Sequence, residues 1–339
     1  MGIEPKKKID SEVNPDDRAN DQEDVRSVFE LAKEEAAKNA AEGEGKTETA
    51  LEETVQEEIE LDFEAAADEE EFELPRLQQF TPSSMLAWGQ FEAKYFQQIY
   101  TQTRFWNPDG DALEQGSRST YYSGITNIVF GLNQRFNFGI DAWIQSVLID
   151  GPETSPFKIL SFPSGANSRT AITALGPKIK FQPFPNVGNF TLQSSLLLPV
   201  AKDPQGRNNG KPYLATENYL WWTQIFYTYN ISDHIQFFGE VDAYWNINRG
   251  EGNGFFATPM SIFLSFFPTN KITLYVNSQF WPNYGGDFVS SYWFQSGIGG
   301  KYQFSKSVDI EVSYGKFLFG KATAGPANSF NLGLRFVKW

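Results

Sequence analysis

The sequence predicts an all-β fold: a closed, antiparallel up-and-down transmembrane β-barrel of about 12 strands, preceded by an acidic N-terminal segment that is largely disordered or partly helical. Three observations predict it. From Trp88 onward the hydropathy has period two. The connections between alternating segments are short and long by turns. Tyr and Trp gather near the segment ends, where interface girdles would place them.

The N-terminal part comes first. Of the 339 residues, 42 are acidic and 28 basic, but residues 1–75 hold 26 of the acidic and 8 of the basic side chains, net −18. The rest of the chain holds 16 and 20, net +4. A phosphate backbone would be repelled by the first part, and the second has no clustered Lys/Arg stripe, so nucleic acid is not an expected partner. Phe29, Phe63 and Phe72 are the only aromatics of 11–73, too few to bury a core. A solvated tail is expected, with a segment that folds on binding a basic partner as the alternative; Val25, Val28, Phe29 and Leu31 fall at near-helical spacing, which allows a short amphipathic helix over 22–42. Residues 76–87, opening on the polar run Leu77 to Ser84, read as a linker. Met1 to Asn14 lacks the apolar core of a secretory signal. Three explanations are open: a sequence that begins after processing, a misplaced start, or an organellar barrel; the first is the expectation, because the composition directly after Met1 is already that of an exported acidic tail.

The barrel is expected over 88–339. Period-two segments occur at roughly 88–106, 119–132, 136–149, 169–182, 189–198 and 218–229, then at 235–247, 256–267, 271–281, 291–304, 309–317 and 329–338. The clearest is 136–148, where Phe136, Phe138, Ile140 and Ile144 share one face. Asn137, Gly139, Asp141 and Gln145 share the other, with Trp143 and Val147 as exceptions. Phe330, Leu332, Leu334 and Phe336 oppose Asn331, Gly333 and Arg335 in the last segment. Five connections are short, and 107–118, 150–168, 199–217, 248–255, 282–290 and 318–328 are long. A meander closed on itself puts all short turns at one rim and all long loops at the other, as outer-membrane barrels do. About 22 residues per strand and connection suits strands tilted across a hydrocarbon layer. No stretch approaches the ~18 apolar residues of a membrane helix. Pro177 and Pro259 fit their proposed strands poorly, since proline cannot donate to a ladder.

Two stretches, GPKIKFQPFPNVGNFTLQSSLLLP at 176–199 and GIGGKYQFSKSVDIEVSYGKFLFGKATAGPANSFNLGLRF at 297–336, resemble the outer-membrane barrel family labelled as the MetA-pathway of phenol degradation. The resemblance runs over most of 86–336 and rests on loose strand-turn-strand patterns with Lys-x-Lys and Leu-Pro punctuation. It implies an outer-membrane transporter for a small, aromatic or apolar solute. The acidic segment lies outside that pattern.

The alternation assigns a candidate lumen lining: Glu92, Lys94 and Arg104 with Gln90, Gln98 and Gln102 from the first segment, and Lys178, Lys180 and Gln182 from the fourth. Later segments add Glu240, Asp242, Lys271, Asn277, Gln279, Gln295, Lys301, Gln303, Glu311 and Arg335. Such a set either lines a narrow aqueous path with opposed charges or fills a small barrel with its own ion pairs. Glu240 and Asp242, two apart on one strand, match a glycosidase carboxylate pair in type, but such a pair is expected to meet lysines across a lumen. His234, the sole histidine, lies in the turn Asn-Ile-Ser-Asp-His and reads as turn chemistry. The glycines of 250–254 and 285–286 lack the strand-loop-helix context of a phosphate cradle. With no Cys, neither disulfides nor thiolate metal sites are available. No catalytic residue, metal or cofactor is expected. The expected function is an outer-membrane channel or transporter, partnered by lipid and a small solute. The alternative is a non-conducting barrel in an envelope complex, with residues 1–75 binding a periplasmic protein.

Overall fold

Side chains of alternating polarity on a β-strand must face two different environments, and here the usual soluble arrangement is inverted. In the computed structural model, which describes residues 82–338 apart from 185, 209, 250–253 and 286–287, the apolar face points out. Ile140, Ile179, Val276, Ile298 and Val312 are all more than half exposed, whereas Asp141, Lys178 and Asp309 are at most 5 % exposed. The acidic segment 1–75 and the helix expected at 22–42 lie outside the described residues.

The strands are β1 (Phe91–Trp106), β2 (Ala112–Gly131), β3 (Phe136–Asp150), β4 (Ser168–Phe181), β5 (Phe190–Pro199), β6 (Tyr219–Ser232) and β7 (Ile235–Ile247). They continue with β8 (Phe255–Ala257), β9 (Met260–Thr269), β10 (Ile272–Gly285), β11 (Phe288–Gln303), β12 (Val308–Lys321), β13 (Thr323–Ala324) and β14 (Ala327–Lys338). All neighbours are antiparallel and follow chain order. β8 and β9 share one place between β7 and β10, and β13 and β14 share one place beside β1. The wall therefore has twelve positions. It closes where β14 pairs with β1, from Phe91↔Lys338 to Gln102↔Ala327, which leaves no sheet edge for another chain to extend.

The prolines mark weak points in the ladder. Pro259 is the break between β8 and β9; its carbonyl still accepts from the Asp242 N–H at 2.8 Å. Pro177 pairs with Ile140 on the β3 side, while the β4–β5 ladder skips from Leu175↔Leu198 to Lys178↔Ser195. Three of the connections expected to be long are shorter, because their flanking strands extend. β2 already starts at Ala112, β10 runs to Gly285 with β11 resuming at Phe288, and β12 runs to Lys321. The long connections that remain are 151–167, 200–218 and 248–254.

The first of these carries a 3-10 helix, Pro156–Ser161. Its Ile159 is fully buried against Ile99, Tyr122 and Leu148. Those three side chains belong to the outward parity of their strands, so the loop covers the outside of β1–β3 near the long-loop rim. Underneath, Tyr122 donates to Gln97 Oε1 at 3.3 Å and is hydrogen-bonded to the Tyr95 hydroxyl.

The expected interface aromatics divide between the two faces. Trp221 and Trp245 stack on the outer surface at 6.1 Å, and Tyr292 packs beside Phe280 there. Trp106, Tyr121, Trp281 and Trp293 point inward instead. The reason is the strand period itself: in Tyr121-Tyr122, Trp221-Trp222 and Tyr292-Trp293, one ring must face out and the next must face in. At the short-turn end the outer girdle is made of phenylalanine, Phe91 touching Phe336 at 5.7 Å and Phe130 at 6.0 Å, and Phe130 touching Phe138 at 5.4 Å.

Candidate functional site

Inward parity brings most of the expected lumen residues together. Asp141 on β3 accepts from Lys178 on β4 (2.8 Å), Asn127 on β2 (2.7 Å) and Ser195 on β5 (2.8 Å). Arg335 on β14 bridges Glu92 on β1 (2.5 Å) and Asp309 on β12 (3.2 Å), and Lys94 completes the group at 2.9 Å from Glu92. Lys301 lies 3.5 Å from Glu311. Glu311 also accepts from the Tyr275 hydroxyl at 2.6 Å, a bond that spans β10 to β12. It requires glycine between them: a Cβ on Gly299 would sit 2.3 Å from the Tyr275 ring. Such satisfied pairs offset the large cost of taking charge out of water.

Neutral groups continue the lining. Gln295 donates to Gln279 at 2.8 Å and Gln279 to Ser261 at 3.1 Å, a glutamine ladder over β11, β10 and β9. Glu240 and Asp242, expected to meet lysines, instead accept from Gln224 (2.5 Å) and from the Trp222 indole N–H (2.9 Å). The strands beside β7 present Gln, Trp and Ser at these levels, and Lys94, Lys178 and Lys301, which line the same cavity as Glu240, pair with Glu92, Asp141 and Glu311 instead.

Other expected residues sit elsewhere. Arg104 lies at the long-loop rim, 3.2 Å from Glu114 and half exposed. Lys271 is exposed in the turn before β10, and Gln182 donates to the Val187 carbonyl in the β4–β5 turn. His234 occupies the β6–β7 turn with Nδ1 3.1 Å from the Phe267 carbonyl oxygen. Among the described residues, no group of three or more His, Cys, Asp or Glu is placed to hold a metal ion.

Two features of the lumen were not drawn from the sequence. One is an internal layer of aromatic rings toward the long-loop end. Trp143 meets Trp222 edge-on (5.9 Å), Trp222 meets Tyr244 (6.1 Å), Tyr244 meets Trp281 (5.3 Å), Trp281 stacks on Trp293 (5.4 Å), and Trp293 contacts Phe317 (4.8 Å). Tyr100 closes on Phe317 from the other side at 5.1 Å. Trp143, out of place on a polar face by sequence, is the available signal for this layer. Above it the 200–218 connection folds inward, burying Leu214, and a chamber of about 140 Å3 lies between that loop, Trp143 and Tyr244.

The second feature is a strap. Residues 82–87 cross the lumen at the short-turn end. The Ser83 hydroxyl bonds that of Thr228 on β6 (2.6 Å), and its carbonyl accepts from Thr191 on β5 (2.8 Å). Lys180 on β4 donates to the Ser84 carbonyl at 2.5 Å. Asn137 on β3 pairs with both backbone groups of Leu86 (2.9 and 3.1 Å), and the Leu86 side chain is buried with Val129 and Val337. Four adjacent strands thus hold six residues without a strand of their own. Between strap and aromatic layer is a cavity of about 300 Å3, lined among others by Pro82, Phe96, Ile125, Lys178, Trp222 and Glu240.

No protein-family model matches the sequence, and no curated protein matches it. Solved structures do match in shape. An outer membrane channel from Pseudomonas putida F1 superposes with a TM-score of 0.54 at 14 % identity, over 76 % of this chain and 97 % of that one. The NanC porin gives 0.42 at 8 % identity, over 72 % and 98 %. The beta domain of the Bordetella autotransporter BrkA gives 0.45 at 11 %, also over 72 % and 98 %. The Pseudomonas match shows that residues 82–338 have the fold of an outer-membrane β-barrel.

Proposed function

We propose that this chain is an outer-membrane β-barrel that passes a small, aromatic or apolar solute through its lumen, acting by binding and conduction rather than by catalysis. The observation that carries this is the inverted burial enclosing a central cavity of about 300 Å3. An apolar outer surface of this extent is stable only in lipid, and a charged, partly open interior suits the passage of a small solute. The short-turn rim is assigned to the periplasm and the long-loop rim to the outside, by analogy with barrels in general. Residues 1–75 are then a periplasmic acidic segment, followed by the 76–87 linker and the barrel from 88. Glu92, Lys94, Lys178, Lys180, Glu240, Asp242, Gln279, Gln295, Lys301, Glu311 and Arg335 line the route, and Arg104 stands at its outer mouth. The aromatic or apolar character of the solute rests on the resemblance of 176–199 and 297–336 to the MetA-pathway barrels, and the Phe96, Ile125 and Trp222 walls of the cavity suit it.

The strap supports a second reading, a non-conducting barrel whose acidic segment engages a periplasmic partner, because it fills part of the mouth. Planar-bilayer conductance of the detergent-folded protein, checked for a gel-mobility shift on boiling, separates the two. Discrete current steps are expected. A heat-modifiable barrel that inserts and carries no current would overturn conduction and leave the scaffold. Deleting residues 1–75 then tests the segment: loss of a co-purifying protein with current unchanged assigns it to partner binding.

A further inference from the structure

The Glu240/Asp242 pair differs from the other carboxylates of the inner face. Glu92, Asp141, Asp309 and Glu311 each lie within 3.5 Å of a Lys or Arg nitrogen. Glu240 and Asp242, on one face of β7, are met by neutral donors, Gln224 and the Trp222 indole. Asp242 is 5 % exposed, its buried Oδ1 receives no hydrogen bond from the rest of the wall, and the two carboxyl groups lie within hydrogen-bonding reach of each other. Two adjacent carboxylates withdrawn from water need a shared proton or a cation. An inorganic divalent ion would look for a third ligating side chain, and among the described residues no such group exists.

The surroundings select the kind of cation. Trp222 is edge-on to both Trp143 and Tyr244, and Tyr244 is edge-on to Trp281, so the carboxylates sit beside several π-systems. Ring faces attract weakly hydrated organic cations. Glu240, Trp222 and Phe226 also line the 300 Å3 cavity, the lower end of the ~300–1,000 Å3 range of small-ligand sites. Lys94, Lys178, Lys301 and Arg335 line it too, each paired with one of Glu92, Asp141, Asp309 and Glu311, so the negative charge left without a cationic partner there is that of the Glu240/Asp242 pair. We propose that this wall of the lumen is a binding site for an organic ammonium ion carrying a small apolar or aromatic body. The ammonium is held by Glu240 and Asp242, and the body lies against Trp222 and Phe226. The passage of such an amine through the barrel rests on the conduction reading above; its binding does not.

The test is a tryptophan-fluorescence titration of the detergent-folded full chain with benzyltrimethylammonium, and with benzyl alcohol as the neutral control. A saturable change is expected, with the cation binding at least about tenfold more tightly than the alcohol, as cation–π contact plus charge pairing implies. In the Glu240→Gln/Asp242→Asn double variant, that preference is expected to vanish while the heat-induced gel shift persists. Equal binding of both probes, or an unchanged preference in the variant, would overturn the site and leave the pair holding a shared proton. Should the double variant fail to fold, Glu240→Gln alone keeps the Trp222–Asp242 bond and is expected to weaken the cation about tenfold; no weakening overturns the site. Bilayer current measured on the same sample keeps the two readings apart. Current without cation binding overturns the site and leaves conduction, whereas binding without current overturns conduction and leaves the site.

Discussion

Asp141 is 2 % exposed and is held by Lys178, Asn127 and Ser195. Removing one partner of a buried ion pair leaves a charge with nothing to offset its lost hydration, so Lys178→Ala is expected to destabilise the barrel by about 3–5 kcal/mol. The isosteric pair Asp141→Asn with Lys178→Met is expected to recover most of that loss. Urea midpoints of the gel-mobility shift measure both; a single variant as stable as the parent would contradict the pairing. Gly299 is the other sensitive position. Gly299→Val drives a side chain into the Tyr275 ring and is expected to break the Tyr275–Glu311 bond, seen as a lowered midpoint that Tyr275→Phe, which merely removes the hydroxyl, does not reproduce in full. At this scale much was legible. Asp141, Lys178, Lys180 and Arg335 alternate with apolar neighbours, and parity alone turns them one way. Arg104 keeps the parity of Gln102 and Trp106 but stands at the rim beside Glu114, because β2 carries extra residues between Glu114 and Ser119; counting by two gives the face of a residue and not its height along the barrel. The partner of each charge was also hidden, since it comes from another strand.

The elements that decide access are irregular, and period-two reading does not see them. The strap has no ladder of its own and is held by side chains of β3 to β6. Replacing residues 82–87 by a Gly/Ser run of equal length is expected to raise single-channel conductance severalfold if these contacts obstruct the mouth; unchanged conductance would show that they do not. The 3-10 helix presents Ile159 to Ile99, Tyr122 and Leu148. Ile159→Ala is expected to cost about 2–5 kcal/mol of local packing, so trypsin should cut at Lys158 faster while the barrel keeps its gel shift. The strands themselves were placed within a few residues over most of the wall. Pro259 marks a real interruption, and β2 begins seven residues before its period-two pattern does, because Ala112 to Arg118 is too polar to alternate.

For the molecule as a whole, the decisive quantity is which face of the sheet is dry. A charged residue on the outer wall discriminates directly. Val241 stands midway along β7 and is 46 % exposed, so Val241→Arg would be nearly free on a protein surrounded by water but costs about 2–4 kcal/mol at a bilayer midplane. Reversible urea unfolding in lipid vesicles is expected to show that cost, and a change below about 0.5 kcal/mol would remove the membrane from the argument. The sequence by itself determined the strand order, the antiparallel meander, the count of twelve wall positions and the inward set of charges. These follow from a period of two and from connection lengths, which are local properties. Only the tertiary structure decided the register in which β14 closes on β1, that Glu240 and Asp242 face indole and amide rather than lysine, and that the strap and the ring layer bound a cavity. Those facts depend on which strands stand opposite one another across the barrel. Curvature and register bring such residues together over distances along the chain at which local pattern carries no information.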